Sequence, residues 1–391
     1  MSPLTAPVNI QHDSSGHGGA RSGHAWEEET LFFQAEDYLQ DILKHIDAAK
    51  QSIIVETYIF DFDEVGKRLI QHLVKAQARG VKVRVLMDGV GSGSDGDRTA
   101  QALEHQGVPV KIYRPLPWQT YHYKRALTRG NLINKLLYFI RRINQRNHRK
   151  QLIIDNQLLW SGSLNISQKH LPIKLGGEGW QDYGVKVSGA NVAIMAGQFD
   201  DVWFRRPIRL SRNLFGAYWD TLSQWSRKRR NQQLLHNINA ARQRIYIVNA
   251  YFAPASKIIK ALKQARNRGV DVQILVTARS DIKLFPLLTA SYYADLLEAG
   301  IRVYEYQPGF LHAKALLIDQ FALIGSTNFN HRSYLHDQEL DIILSKAQSI
   351  TALEQQFYRD QLASQEVLFN ANKGWRWKIL GHLPRLLRYW M

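Results

Sequence analysis

The sequence predicts an α/β protein made of two tandem, duplicated α/β sandwich domains. Three observations lead there. Strand-like and helix-like segments alternate along the chain. The order of those segments occurs twice, as in a duplication. The 391 residues, 45% of them hydrophobic, are long for one domain and comfortable for two.

The elements follow in order. Residues 1–25 are rich in Ser, Gly, Pro and His and read as a disordered tail; they lack the basic start and apolar stretch of a signal peptide. The helical pattern DYLQDILKHIDAAK precedes the strand candidate SIIVETYIF (Ser52–Phe60), and LLHNINAARQR precedes its counterpart IYIVNAYF (Ile245–Phe252). AQARGVKVRVLMDG (Ala76–Gly89) matches QARNRGVDVQILVTA (Gln264–Ala278); each has a helix ending near Gly80 or Gly269 and then a buried strand. HQGVPVKIYRP (His105–Pro115) matches EAGIRVYEYQP (Glu298–Pro308). Further on, WQDYGVKVSG carries Asp182 at a strand start and DQELDIILS carries Glu339 at another. Helical segments containing AGQFDDVW and LEQQFYRD follow. The first domain is therefore expected over 26–205 and the second over 212–365, with the linker near Arg205–Asn213, where a Pro sits in a run of charge.

The halves differ in one place. Pro308 is followed almost at once by His312, whereas about thirty extra residues separate Pro115 from His148. This insert, about 116–147, mixes Arg and Lys with Leu132, Ile133, Leu136, Leu137, Phe139, Ile140 and Ile143 at near-helical spacing, as a basic amphipathic helix does. The bland alternative is an ordinary helix packed on the domain. Residues 366–391 repeat the theme with Trp375, Trp377, Tyr389 and Trp390 among Arg376, Lys378, Arg385 and Arg388, a pattern suited to a membrane interface.

Net charge is +17 and the pI about 9.9, which favours polyanionic partners, either nucleic acid or an anionic membrane. No cysteine is present, so disulfides, thiolate metal sites and a cysteine nucleophile are excluded. No long apolar run calls for a spanning helix.

The chemistry is concentrated in a pattern that occurs twice. HRKQLIIDNQLLWSGSLN (His148–Asn165) and HAKALLIDQFALIGSTN (His312–Asn328) both read His-x-Lys-x4-Asp and then Gly-Ser-x-Asn. On a strand, alternation puts His148 and Lys150 on one face, where an imidazole and an ammonium can address one group. His312 and Lys314 repeat this. Asn165 and Asn328 can donate amide hydrogens to an oxyanion, and Ser163 and Ser326 a hydroxyl. Asp155 lies too far along the strand to meet the same atom and is expected to buttress the fold. Asp182 and Glu339 are expected each to orient a histidine through its ring N–H. A site rich in positive charge and donors suits a phosphoryl group, and two imidazoles can divide attack and protonation between them.

These paired signatures are those of the phospholipase D superfamily. With ETYIFDFDEVGKRLIQHLVKAQARGVKVRVLMDGVGS and GSTNFNHRSYLHDQEL, the chain resembles the bacterial cardiolipin synthases that lack N-terminal spans, over about residues 30 to 365. The resemblance implies two phospholipase D-like domains with one active site at their interface. It implies catalytic roles for His148, Lys150, Asp155, His312, Lys314 and Asp319, a phosphohistidine intermediate, and no metal or other cofactor. His148 is taken as the nucleophile by analogy. The resemblance further implies transfer of a phosphatidyl group between two phosphatidylglycerol molecules, with glycerol leaving and cardiolipin forming. Peripheral attachment to the cytoplasmic side of an inner membrane and no nucleic acid partner are then expected. His331 and Gln338 depart from the pattern, which bears on the acceptor rather than on the chemistry. A phospholipase D passing the group to water, a nuclease and a non-enzymatic membrane scaffold are the alternatives.

Overall fold

A computed structural model describes residues 25–115, 145–208 and 216–368. The expected N-terminal tail, most of the basic insert, part of the linker and nearly all of the C-terminal tail lie outside the described residues.

The first half contains β1 (Glu28–Phe32), α1 (Ala35–Ala48), β2 (Ser52–Thr57), α2 (Glu64–Ala78), β3 (Lys82–Asp88), α3 (Asp95–Glu104), β4 (Val110–Tyr113), β5 (Gln151–Ile154), β6 (Leu158–Gly162), β7 (Gly184–Ser188) and α4 (Ala190–Phe204). Its strands form a seven-stranded sheet in the order β1-β7-β6-β5-β2-β3-β4. The second half contains β8 (Tyr218–Asp220), α5 (Gln224–Ala240), β9 (Arg244–Asn249), α6 (Ser256–Asn267), β10 (Asp271–Thr277), α7 (Phe285–Ala290), α8 (Tyr293–Leu297), β11 (Arg302–Tyr306), β12 (Lys314–Ile318), β13 (Phe321–Gly325), α9 (His331–Leu335), β14 (Leu340–Leu344), α10 (Ala347–Leu362) and β15 (Ser364–Glu366). Its sheet runs β15-β11-β10-β9-β12-β13-β14-β8. The repeated core is β5-β2-β3-β4 in one half and β12-β9-β10-β11 in the other, with β2–β3 and β9–β10 parallel and β5–β2 and β12–β9 antiparallel.

Strand alternation decides which apolar residue goes where. Ile53 and Val55 face α1 and α2 in the first half's own core, whereas Ile54 between them faces the opposite side. That opposite side is shared: Ile54, Ile153, Val185 and Phe199 belong to the same buried cluster as Val248, Ala315, Ile324, Ile342 and Phe357 of the second half. The two sandwiches are thus joined through one apolar core rather than tethered. Trp26 adds a tie, its indole donating to the Ile343 carbonyl at 3.0 Å.

Helices α2 and α6 are capped by Arg79 and Arg268, and Gly80 and Gly269 follow with φ of +90°, the left-handed stop their sequence predicts. The chain beyond residue 365 stays in the sheet a little longer than expected: β15 pairs with β11, and the Val367 N–H bonds Val303 O at 2.9 Å. No helix among the described residues is long and apolar enough to cross a membrane.

Candidate active site

The two His-x-Lys pairs meet at the junction of the halves. Each histidine stands just before its strand, because its backbone pairs across the junction instead of within its own sheet. His148 N–H bonds Gln338 O at 2.9 Å and Gln338 N–H bonds Arg146 O at 2.8 Å. Symmetrically, His312 N–H bonds Gln181 O at 2.8 Å and Gln181 N–H bonds Phe310 O at 2.9 Å. Gln338 therefore has a counterpart in Gln181, and both serve through the backbone. Each is followed at once by the acid of its half.

This bridge crosses the acids over. Glu339 of the second half accepts from His148 Nδ1 at 3.0 Å, and Asp182 of the first half accepts from His312 Nδ1 at 2.7 Å. Each acid was expected to orient a histidine; the motif histidine it meets belongs to the other repeat. With Nδ1 committed, Nε2 is the ring atom left for a ligand. The ammonium of Lys150 donates to His148 O at 2.9 Å, and that of Lys314 donates to His312 O. One of three N–H donors is spent in each case, so two remain. All four side chains are buried.

The motif serines take a different part from the one expected. Ser163 Oγ donates to Asp182 at 2.6 Å, and Ser326 Oγ donates to Glu339. Each hydroxyl has one hydrogen, so these serines fix the acids and do not serve an oxyanion. Asn165 spends its side-chain oxygen on Ile59 N–H at 3.3 Å, which leaves its NH2 donors. The motif glycines are required by close approach. A Cβ on Gly162 would lie 2.3 Å from Tyr183 O, and one on Gly325 would lie 2.1 Å from Asp341 Oδ1. Only glycine lets the motif strand come this close to the segment bearing the acid.

Asp155 and Asp319 are not at the site. Asp155 accepts from the backbone N–H groups of Lys50, Gln51 and Ser52 at 2.7–2.9 Å, and Asp319 from those of Arg242, Gln243 and Arg244 at 2.9–3.0 Å. Both have φ near +50°, in the turn after the motif strand. This corrects their inclusion among catalytic residues and agrees with the buttressing role that strand spacing implies.

Several residues join the site without having been singled out. His170 Nδ1 lies 2.5 Å from the second oxygen of Asp182, and its Nε2 accepts Asn165 N–H at 3.1 Å. Those partners make Nε2 the acceptor and Nδ1 the donor of this ring. In the second half Ser333 does the same work: it donates to Glu339 at 2.5 Å and accepts Asn328 N–H at 3.3 Å. His170 and Ser333 stand at matching places after their motifs, a correspondence that aligning the repeats would have exposed. Tyr58 and Tyr251 pack on His148 and His312 at ring distances of 4.8 and 6.4 Å, beneath Lys150 and Lys314 at 5.4 and 5.8 Å. These tyrosines close the matching strand segments of the repeats, so the signal was present there too.

Burial governs the charges. Desolvation, reinforced by the neighbouring lysine, lowers both His148 and His312 from the ordinary imidazole value, His312 well below it. Desolvation also lowers Lys150 to about 8 and holds Lys314 well below the ordinary lysine value. Burial alone would raise the two acids, but their imidazole partners outweigh it: Glu339 lies below and Asp182 well below the usual carboxylate value. The resting site thus pairs ionised carboxylates with neutral imidazoles. His170, Asp182 and His312 have ligand atoms within 4.8 Å of one another, close enough for a metal ion. Their contacts are instead those of two N–H donors on one carboxylate, with the Lys314 and Lys150 charges acting on the same group of residues. A single carboxylate beside two ammonium groups fits a divalent cation poorly.

A duplicated sandwich with two such histidine–lysine pairs at its junction defines a phospholipase D-like enzyme. A family model described as cardiolipin synthase, PLD-like domain, matches residues 42–203 and 234–361, and the chain belongs to that family. It is an enzyme of the phosphatidyltransferase type. A cardiolipin synthase of Clostridium perfringens (strain SM101 / Type A) is 30% identical over 84% of this chain and 69% of its own length. Cardiolipin synthase B of Salmonella typhi is 30% identical over 80% of this chain and 75% of its own length. The phosphatidylserine synthase of Haemophilus influenzae Rd KW20 shares the fold at a TM-score of 0.68 and 13% identity, over 93% of this chain and 96% of that one.

Proposed function

We propose that this enzyme joins two phosphatidylglycerol molecules into cardiolipin and glycerol through a phosphohistidine. The observation that carries the reading is the pair of buried imidazoles from two repeats. Each is held at Nδ1 by the other repeat's acid and flanked by an ammonium.

In the first step Nε2 of His148 attacks phosphorus, the bond from phosphorus to the glycerol oxygen breaks, and His312 gives that oxygen its proton. In the second, the primary hydroxyl of another phosphatidylglycerol yields its proton to His312 and attacks phosphorus. The phosphorus–nitrogen bond breaks, and His148 is free again. Lys150 and Lys314 neutralise the phosphoryl oxygens, and the NH2 of Asn165 and Asn328 can add donors. The charge of the incoming phosphodiester offsets the two lysines and raises both imidazoles, so one of them can hold the proton the donor needs. No metal enters this scheme.

We assign the first domain to 26–205, the second to 212–365 and membrane contact to the basic segments about 116–147 and 366–391. The enzyme then works as a peripheral protein on the cytoplasmic side of an inner membrane, on anionic lipid and not on nucleic acid. The net charge of +17 supports this placement.

The test is product analysis from labelled phosphatidylglycerol vesicles, with and without chelator. Cardiolipin and glycerol are expected from the wild type in both conditions, and neither from His148→Ala or His312→Ala. With label on the donor phosphate, a rapid alkaline denaturing quench of the wild type in turnover should recover label on protein, and neither variant should carry it, since one lacks the nucleophile and the other the acid for the leaving glycerol. Phosphatidic acid as sole product would make the enzyme a hydrolase, and loss of activity on chelation would overturn the metal-free scheme.

A further inference from the structure

Two loops beside His312 present apolar side chains to solvent, and both read Ile-Lys-Leu. The first is Ile173–Leu175, a short 3-10 turn between His170 and Asp182. The second holds Ile282, Lys283 and Leu284 between β10 and α7. Ile173 is 75% exposed, Leu284 54% and Leu287 58%. Isolated exposed leucines are ordinary, but clusters on two separate segments that both pack back toward His312 are not.

Both loops are built to hold this shape. In the first, backbone N–H groups of Gly176, Gly177, Glu178 and Gly179 bond back to Ile173, Pro172, Lys169 and Leu171 at 2.9–3.2 Å. Gly176 closes the turn with φ of +79°, and a Cβ on Gly177 would strike the Leu171 carbonyl. In the second, Phe285 is buried as an anchor while Ile282, Leu284 and Leu287 point away, and Tyr251 Oη donates to Asp281 at 2.5 Å. Packing runs from each tip to the chemistry. Trp180, at the end of the first loop, lies 5.2 Å from His312 and 4.7 Å from Phe310, ring to ring. Tyr251 lies 4.8 Å from Phe285 and 6.4 Å from His312.

The charges select the partner. Lys169, Lys174, Arg279 and Lys283 are exposed on the same loops. Of the acids there, Glu178 accepts from the Trp180 indole and Asp281 from Tyr251 and Ser280. Apolar tips ringed by cations fit an anionic bilayer: the side chains enter the acyl boundary while the lysines meet headgroup phosphates.

We infer that the Ile173–Leu175 and Ile282–Leu287 loops form a membrane-docking rim that seats the mouth of the site on an anionic phospholipid surface. This rests on the lipid reading above and adds where the folded body touches the bilayer. A headgroup phosphate could then reach Lys150 and Lys314 without its lipid leaving the membrane.

The test compares the full-length wild type with Ile173→Ser/Leu175→Ser/Ile282→Ser/Leu284→Ser and with Leu362→Ser, an exposed apolar residue at the end of α10. Flotation with phosphatidylglycerol vesicles and with phosphatidylcholine vesicles reads binding. Turnover of short-chain phosphatidylglycerol dissolved as monomers reads the integrity of the site. The four-serine variant should bind phosphatidylglycerol vesicles at least about tenfold more weakly, keep its monomer turnover, and weaken the already weak phosphatidylcholine binding as well. Lys174→Glu/Lys283→Glu should weaken only the phosphatidylglycerol binding. Binding within about twofold of wild type, an equal loss in Leu362→Ser, or a shift from dimer to monomer on sedimentation in place of a binding defect would each overturn the rim. If the wild type binds vesicles through these loops yet converts no lipid, the rim stands and the assigned reaction falls.

Discussion

At the scale of single residues, the site depends on how many donors one carboxylate must satisfy. Asp182 accepts from Ser163, His170 and His312, and Glu339 from Ser326, Ser333 and His148. An amide has one acceptor oxygen and offers an N–H where an N–H already points. Asp182→Asn should therefore disturb His312, and Glu339→Gln should disturb His148, by favouring the wrong tautomer. We expect kcat to fall about 10³–10⁴-fold in each, with little change in KM for the monomeric lipid. A loss confined to KM would show that the acids shape binding rather than hold imidazoles. His148, Lys150, His312 and Lys314 were legible in the sequence because their pattern is repeated, and Asp182 and Glu339 because each follows its motif at a strand start. His170 was harder to see, because a serine fills its role in the other repeat and only a position-by-position alignment of the repeats, not a shared residue type, marks the place. The crossing of the acids was also invisible, since spacing along a chain does not say which repeat an acid will face.

At the scale of elements, the duplicated strand–helix order predicted the sheet core, and Gly80 and Gly269 marked the helix ends. The unforeseen part is where the motif strand begins. Alternation alone runs it through the histidine, whereas the structure starts β5 at Gln151 and β12 at Lys314, because the residues before them hydrogen-bond across the junction. The aspartates at the far ends of these strands hold the turn to the preceding helix–strand connection. Each collects three backbone N–H groups, which together hold its carboxyl below the usual value despite partial burial. Asp155→Asn and Asp319→Asn should each cost about 1–3 kcal/mol of stability, since charge-assisted bonds are weakened and one donor is left unpaired. The folded fraction should retain its kcat. Denaturant titration beside active-site-normalised turnover checks this, and a thousandfold loss of kcat with unchanged stability would restore these residues to the chemistry.

At the scale of the whole molecule, neither half holds a complete site. His148 lacks its acid until the second half docks, and His312 lacks its own until the first does, so the shared apolar core and the chemistry form together. That arrangement gives stability a definite dependence on pH. Both imidazoles are lowered in the folded state, so below about pH 6.5 the unfolded chain takes up protons that the folded chain refuses, and stability falls. Asp182 and Glu339, also lowered, add to the loss once pH drops into the carboxylate range. Asp360 acts in the other direction, because burial raises it to about 6 and its folded form binds a proton more readily than the unfolded one. The imidazole contribution is separable in His148→Gln/His312→Gln, which leaves Asp360 in place. Wild type should lose stability to urea between pH 7 and 5.5, and the double variant should lose clearly less. Equal slopes in the two proteins would mean that the imidazoles keep ordinary affinities for protons when folded, and the neutral resting site would have to be abandoned.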